Sequence, residues 1–280
     1  MRPLRTCGSS LVPPFVLAVL TLLYMAPVFQ APSAQYVLDG HDLLNQQYPL
    51  YSFIFDSVRE GRGLPLWNPY QFAGQSTVTN PQSTLFYPFA WIMAFVDVGH
   101  SVGWLAALHL WLGGWGMTVF ARRLGASRGG ALAGGIVYEF SALLGAHLDA
   151  GHINYILCQA WLPWLAAAYL QSVSGERQVS SLQQSPSVSG RSDRRADGDA
   201  PGAGTNVPSG AGSAGLGSRP SSREPWLRPA LWGAAALGLC VLSGYPPLLY
   251  FALLWLAALW IFIVLTGPER SPREIGRAHV

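Results

Sequence analysis

Residues 39–88 read DGHDLLNQQYPLYSFIFDSVREGRGLPLWNPYQFAGQSTVTNPQSTLFYP, and they form a long polar segment between two apolar runs. The segment holds four of the chain's fourteen acidic residues, which are Asp39, Asp42, Asp56 and Glu60. It also contains two arginines and a WNPY turn. Since almost all of the chain that follows is apolar or low-complexity, we expect any chemistry to take place in this segment, at a membrane surface.

The composition is that of a membrane protein. Hydrophobic residues make up 50% of the chain and charged residues only 11%, whereas soluble domains usually carry about 25% charged residues. All seventeen basic residues are arginines, but no basic stripe with interleaved aromatic residues is present, which argues against nucleic-acid binding. The three cysteines have neither zinc-ligand spacing nor the pattern of a disulfide framework.

The first apolar run, residues 11–29, is long enough to cross about 30 Å of hydrocarbon. Arg2 and Arg5 precede it and predict a cytoplasmic N-terminus. The alternative is a cleaved signal peptide with a cleavage site near residues 31–34. The further apolar runs favour a retained membrane helix.

The polar segment that follows is predicted to lie outside the cell. Residues 43–58 carry apolar side chains at helical spacing, which predicts a short amphipathic helix that ends at the glycines of residues 61–63. Residues 85–96 are apolar but too short for an easy span, so we expect them to lie in the membrane interface or to re-enter it.

The distribution of arginines sets the orientation of the remaining helices. If residues 85–96 do not cross the membrane, Arg122, Arg123 and Arg128 lie in the cytoplasm, as the positive-inside rule requires. The predicted fold is an all-α polytopic membrane protein, with spans at residues 11–29, 102–120, 130–146, 153–171, 229–242 and 247–265.

Two stretches are set apart from this bundle. Residues 172–228 are rich in Ser, Gly, Pro and Arg and predict a disordered cytoplasmic linker. The linker separates an N-terminal module, residues 1–171, from further membrane helices at residues 229–265. Residues 274–280 read EIGRAHV, which is how a common sequencing adapter translates, so we expect the native chain to continue differently.

Several motifs of the N-terminal module occur in a fixed order: DLLNQQYPLYSF from Asp42, then GRGLPLWNPYQFAGQ, NPQSTLFYP, and a long run from LHLWLGGWG to NYILCQAWLPW. In these motifs the chain resembles the bacterial YfhO family, whose members are large polytopic proteins related to GT-C glycosyltransferases. The resemblance covers most of residues 11–171. It implies a GT-C-like transmembrane helix bundle in the bacterial cytoplasmic membrane, with juxtamembrane helices in a large first external loop, residues 31–84.

The activity that the resemblance implies is transfer of a sugar from a polyprenyl-phosphate donor to a cell-envelope acceptor on the outer face. GT-C enzymes have a catalytic carboxylate in the first external loop, and Asp42 matches it best, in a pattern with the substrate-binding candidate Gln46 and Pro49. A carboxylate can take the proton of the acceptor hydroxyl. Asp39 would share a helix face with Asp42, so that one acid acts as base while the other, with His41, holds a metal or the acceptor. Helix capping is the alternative for both acids and the favoured one for Asp39.

The donor's phosphate requires cationic partners. Arg59 and Arg62 are the only arginines predicted outside, and guanidinium groups bind phosphate in bidentate fashion. A solvated pair with the neighbouring glutamate has equal weight as the alternative. The second external loop, residues 147–152, offers His147 and His152 as further substrate ligands, because GT-C folds place this loop opposite the first.

Two acids later in the module complete the candidates. Asp149 could form a metal site with Asp42, which makes a divalent cation a candidate cofactor; solvation of the loop is the favoured alternative. Glu139 lies near the middle of a predicted span, where acids are costly and are either paired or functional. Its expected partner is His109 or a water molecule in a cavity.

Two classes of function compete. The first is the transferase, whose partners are a polyprenyl-phosphate-linked sugar and membrane lipids. The second is a non-catalytic transporter or envelope assembly factor built on the same spans. Transporters place polar sites at broken helices near the membrane midplane, whereas the polar residues of this sequence gather in external loops, which favours the enzyme.

Overall fold

The fold is almost entirely helical in the computed structural model, which describes residues 11–31, 38, 40–183 and 227–266. The α-helices of these residues are α1 (Val12–Tyr24), α2 (Ala26–Gln30), α3 (Tyr48–Arg59), α4 (Val98–Arg123), α5 (Arg128–Glu139), α6 (Ala142–Asp149), α7 (Ile153–Gln159), α8 (Leu162–Gln183), α9 (Leu227–Leu242) and α10 (Pro246–Thr266). Between α2 and α4 lie a π-helix (Leu43–Gln47), two 3-10 helices (Pro81–Ser83 and Pro88–Ala94) and the strands β1 (Trp67–Asn68) and β2 (Gln75–Ser76). Predicted features outside the described residues are Arg2, Arg5, the candidate Asp39, most of residues 31–34, residues 184–226 of the linker and the tail at residues 274–280.

Helix α4 is the centre of the bundle and packs against α1, α5, α7 and α8. Its glycines leave room for the side chains of neighbouring helices. A Cβ atom at Gly113 would lie 3.0 Å from the Tyr138 ring, and one at Gly116 would lie 2.6 Å from the indole nitrogen of Trp164. Small residues allow helices in membranes to approach each other closely, and here they let α4 contact several helices at once.

Two helical stretches are long and apolar enough to cross a membrane, Val98–Arg123 and Arg128–Asp149. They cover the spans predicted at residues 102–120 and 130–146; α4 is continuous over the first, and the second is interrupted between α5 and α6. The three arginines on which the predicted orientation depends lie at the facing ends of these stretches, Arg122 and Arg123 in the first and Arg128 in the second. Helices α1 and α9 are apolar but shorter, so the bundle of six spans stays a prediction.

The predicted span at residues 153–171 is wrong in its continuity, because the helix breaks between α7 and α8. Pro163 has no amide hydrogen, so the carbonyl of Gln159, four residues earlier, loses its helical donor. The hydroxyl of Tyr138 donates to that carbonyl instead, over 2.7 Å. Helix α8 then continues to Gln183, into the segment for which the composition predicts disorder.

The amphipathic helix predicted at residues 43–58 is confirmed, with a π-helical turn before α3. Pro49 cannot donate to the carbonyl of Asn45, and the wider π-helical turn accommodates this break in the α-helical bonding. Helix α3 packs against the 3-10 helix Pro88–Ala94. Residues 85–96 therefore form a short element on the bundle and not a helix of spanning length, which agrees with the sequence prediction.

A buried hydrogen-bond network around Asn154 joins four parts of the chain. The hydroxyl of Tyr51 on α3 donates to the Asn154 side-chain oxygen on α7. Burial raises the pKa of Tyr51 far above its usual range, so the hydroxyl stays protonated and able to donate. The Asn154 amide nitrogen lies 3.3 Å from the carbonyl of Gln82 and 3.4 Å from that of Gly244, which is in the turn between α9 and α10.

Replacing Asn154 by alanine is expected to lower the free energy of unfolding by about 2 kcal/mol, because it leaves the Tyr51 hydroxyl buried without its acceptor. The measurement is thermal or detergent-induced unfolding of the purified protein. Asn45→Ala is the matched control, since Asn45 is exposed and makes one local bond to the His41 carbonyl. Equal losses in the two variants would contradict a structural role of the network.

Candidate functional site

Asp42 lies at the start of the helical stretch that leads into α3, and it borders a cavity of about 320 Å³. The cavity is lined by His41, Asp42, Asn45, Gln46, Gln71 and Phe72. The Asp42 carboxylate makes no capping bond to the helix that it precedes. The capping alternative therefore does not hold for Asp42, and its carboxylate is available for other contacts.

The structure brings Asp42 together with both candidate histidines of the second loop. Asp42 Oδ2 lies 2.8 Å from His152 Nε2, and His152 Nδ1 lies 2.7 Å from His147 Nδ1. The His147 ring stacks on Tyr155 with 3.6 Å between centroids, and Tyr155 meets Tyr245 edge to face at 5.3 Å. We call the contact series Asp42–His152–His147 the acid–imidazole relay; the rings behind it fix the orientation of its last member.

Two glycines allow the segments that carry the relay to meet. A Cβ atom at Gly40 would overlap the backbone of Ala150 and Gly151. Gly151 has a φ of +80°, which favours glycine, and a Cβ atom there would lie 2.6 Å from the backbone nitrogen of Leu43. Each glycine precedes a histidine, His41 or His152, so the close backbone approach places Asp42 and His152 within reach of each other.

The relay orients the Asp42 carboxylate through two imidazoles in series. A carboxylate only accepts, so His152 donates to Asp42 from Nε2, and in a neutral ring its Nδ1 accepts from the Nδ1–H of His147. The Nε2–H of His152 therefore occupies one acceptor site of the Asp42 carboxylate and fixes its orientation, while the other carboxylate oxygen stays open to take a proton from a substrate.

Side-chain amides join the cavity wall into one network. The Gln71 amide nitrogen donates to the carbonyl of Gln46 over 3.2 Å, and its oxygen accepts from Gln75 and Asn68 over 3.0 and 3.2 Å. The predicted ligand Gln46 lines the cavity, and its amide nitrogen donates to the Gln82 side chain. The wall therefore presents amide groups whose orientation is set by neighbouring bonds.

Sequence reasoning missed Asn45, Gln71 and Phe72 as cavity residues. Phe72 is 78% exposed and has a φ of +52°, and Ala73 after it has a φ of +60°. Left-handed backbone at such residues costs on the order of 1 kcal/mol or more and is concentrated at ligand sites. The only signal in the sequence was the WNPYQF turn, and nothing in it indicated that the loop would reach Gln46.

The predicted arginine pair does not reach the cavity. Arg59 and Asp42 lie at opposite ends of one helical stretch, roughly 25 Å apart along its axis. Arg59 pairs with Asp56 and Arg62 with Glu60, each over 2.6 Å. Burial raises the pKa of Asp56 by more than the neighbouring guanidinium lowers it. The structure therefore does not place these arginines beside Asp42; it shows the ion pairs of the alternative, and binding of the donor phosphate stays a prediction.

Replacing Arg59 or Arg62 by glutamine is expected to change the KM for a lipid-linked donor by less than about twofold and stability by less than about 1 kcal/mol, as for other exposed ion pairs. Steady-state kinetics and thermal unfolding of both variants check this. A tenfold rise in KM for either variant would show that the arginine contacts the donor.

The predicted metal ligand Asp149 lies apart from the relay. It is exposed at the end of α6, which extends through much of the predicted loop at residues 147–152. His41 is also exposed, with its Nδ1 3.9 Å from Asp42 Oδ1. Within the described part of the chain, no group of three or more His, Cys, Asp or Glu side chains could hold a metal ion, and Asp39 lies outside that part.

The expected pairing of Glu139 with His109 is wrong. The Glu139 carboxyl contacts the hydroxyl of Thr21 on α1. His109 is bonded elsewhere, to the Tyr87 hydroxyl and, over 2.7 Å, to the carbonyl of Leu105.

Comparison of the chain with protein-family models, curated proteins and solved structures gives no match.

Proposed function

We propose that the protein is a GT-C-type glycosyltransferase that moves a sugar from a polyprenyl-phosphate donor to a cell-envelope acceptor. The observation that carries the proposal is the 2.8 Å contact of Asp42 with His152 at the edge of a cavity lined by amides and an exposed aromatic ring. A carboxylate linked to two imidazoles is suited to take a proton from a hydroxyl group.

In the proposed reaction, Asp42 removes the proton of the acceptor hydroxyl as its oxygen attacks the anomeric carbon of the donor sugar. The bond between that carbon and the phosphate oxygen breaks, and polyprenyl phosphate leaves with the electron pair. Asp42 keeps this proton until the product has left and then releases it to solvent, while the Nε2–H of His152 holds the carboxylate in place. His41, exposed at the cavity edge, is the nearest candidate to contact the leaving phosphate.

The outer face of a bacterial cytoplasmic membrane is the proposed location. The relay lies at one end of the stretch Arg128–Asp149, and Arg122, Arg123 and Arg128 lie at the other. Together α5, with 12 residues, and α6, with 8 residues, contain about 30 Å of helix, about the thickness of a bilayer core. With the arginines in the cytoplasm, the cavity opens outside.

A transporter remains the second candidate, and one observation favours it. The stretch Arg128–Asp149 is interrupted between α5 and α6, directly after the buried acid Glu139. Broken helices with polar groups inside the membrane are typical of transporters. The two functions differ in their product, since a transporter moves a lipid or solute without forming a glycosidic bond.

The test uses the full chain in liposomes, with a panel of radiolabelled undecaprenyl-phosphate hexoses as donors and a total envelope-lipid extract as acceptor. A transferase forms a labelled product and releases undecaprenyl phosphate in equal amounts. Movement of the label between leaflets without a product supports the transporter. Absence of any product across the whole panel overturns the transferase.

Replacing Phe72 by alanine is expected to raise the KM for the sugar donor about fivefold with little change in kcat, because the ring offers a face on which a sugar can stack. Steady-state kinetics in liposomes measure both constants. Tyr70→Ala is the matched control, since Tyr70 is 83% exposed in the same loop but does not line the cavity. Equal KM values for the two variants would argue against a sugar subsite at Phe72.

A further inference from the structure

Glu139 is a buried acid at the point where α5 ends. It is only 1% exposed, and the chain leaves the helix at Phe140 before α6 begins at Ala142. The position lies inside the stretch Arg128–Asp149 that is apolar enough to cross a membrane. A carboxylate at such depth is expensive unless it is paired or neutralised.

The surroundings are shaped to the carboxyl group. A Cβ atom at Gly114 on α4 would overlap Glu139 Oε2. On α5, a Cβ atom at Gly135 would overlap the Thr118 hydroxyl and the Gly114 carbonyl. The acid therefore occupies space that Gly114 leaves open, and Gly135 lets α4 and α5 approach each other closely near this point.

The hydrogen bonds of Thr21 indicate where a proton lies. Its hydroxyl contacts Glu139 Oε1 and also lies 2.9 Å from the carbonyl of Leu17. The hydroxyl has one hydrogen, and the Leu17 carbonyl can only accept. Thr21 donates either to Glu139 or to Leu17; in the second arrangement a hydrogen bond with Glu139 requires Glu139 to be the donor, which it can be only when it is protonated.

The other carboxyl oxygen supports the same reading. Glu139 Oε2 is buried and has no hydrogen-bond partner among the described residues. An unpartnered anionic oxygen in an apolar interior costs several kcal/mol, whereas the carbonyl oxygen of a neutral acid costs much less. A metal cation would need several oxygen ligands around Oε2, while a proton needs one atom.

The titratable groups on the helices packed around Glu139 do not neutralise a negative charge on its carboxyl group. Those of α1, α4 and α5 are Tyr24, His100, His109, Arg122, Arg123, Arg128 and Tyr138. His109 and Tyr138 are engaged elsewhere, with the Tyr87 hydroxyl and the Gln159 carbonyl, and the Tyr24 ring packs edge to face on Phe140. Arg122 and Arg128 lie more than two helical turns from Gly114 and Glu139, roughly 12 Å or more along the helices.

We propose that Glu139 is a proton-binding site, which holds a proton on Oε1 and donates it to Thr21 while α5 is packed against α1 and α4. Loss of the proton places a charge in the glycine-lined space and requires water or an opening of the packing at the break after Glu139. The proton site thus couples pH to the position of α5. The inference does not depend on sugar transfer at Asp42.

The test is infrared difference spectroscopy of the full chain in lipid bilayers, comparing wild type with Glu139→Gln. The expected result at pH 7 is the carbonyl band of a neutral carboxylic acid, which gives way to a carboxylate band as the pH is raised. Glu60→Gln is the matched control, because Glu60 is exposed and paired with Arg62 and should show only the carboxylate band. Absence of the carbonyl band of Glu139 at pH 7 and below overturns the proposal.

A second measurement on the wild-type protein covers the case in which Glu139→Gln does not fold. A hydrophobic carbodiimide modifies protonated carboxyl groups in apolar surroundings, and mass spectrometry locates the modified residue. Modification of Glu139 that declines as the pH rises supports the site. Failure to modify Glu139 at any pH, while the unfolded chain is modified there, overturns it.

Discussion

Replacing Asp42 by asparagine is expected to reduce the rate of sugar transfer by about 10² to 10⁴-fold, the usual contribution of a general base. Asparagine keeps the shape of the side chain and can still contact His152, but it cannot accept a proton from the acceptor hydroxyl. The measurement is product formation by the purified full chain in liposomes, normalised to folded protein. An unchanged melting temperature separates loss of chemistry from loss of structure.

Asp149→Asn serves as the control, because Asp149 is exposed near the relay without belonging to it. Its rate is expected to stay within about twofold of wild type, as for other changes at exposed charges. His152→Gln is expected to fall between the two variants, with about a tenfold loss, since Asp42 remains and only the imidazole that orients its carboxylate is removed. Full activity of the Asp42→Asn variant would show that Asp42 is not the general base.

Replacing Gly135 by alanine is expected to lower the free energy of unfolding by about 3 kcal/mol. The added methyl group would overlap both the Thr118 hydroxyl and the Gly114 carbonyl, and the carbonyl belongs to a backbone that cannot move aside cheaply. Separation of α4 from α5 should follow, because Gly135 lies where these helices touch. Unfolding of the purified protein by heat and by denaturing detergent measures the loss.

Gly134→Ala is a closely matched control on the same helix. A Cβ atom at Gly134 has no neighbour within 4 Å, so alanine should leave stability unchanged or raise it by up to about 1 kcal/mol through its better helix propensity. Two adjacent glycines are therefore expected to respond in opposite directions. Similar losses in both variants would show that helix propensity, and not contact with α4, governs the region.

The sequence predicts local features of this fold better than distant ones. Apolar periodicity is a property of neighbouring residues, and it placed the amphipathic helix at residues 43–58 and the helices on either side of the arginines correctly. It missed the break before Pro163, since one proline inside an apolar run can be tolerated, and the tyrosine that satisfies the freed carbonyl belongs to another helix.

The candidate site was predictable only in part. Asp42, His147 and His152 were chosen through a resemblance, and their contact depends on two glycines whose close approach has no signature in spacing. The sequence did not predict where the arginine pair lies relative to Asp42. An external arginine suggests a bound anion, whereas Arg59 and Arg62 form ion pairs with acids three and two residues away. For an exposed arginine, an acidic residue two or three positions away predicts its ion-pair partner better than the side of the membrane predicts a bound anion.

The turn between α9 and α10 has a consequence for how the chain can be divided. Tyr245 stands behind the ring on which His147 stacks, and the Gly244 carbonyl accepts from Asn154. A fragment ending at Gln183 would keep every acid and imidazole of the site and still lack their support. The chain therefore cannot be divided at the long connection before α9 into two parts that keep the site intact independently.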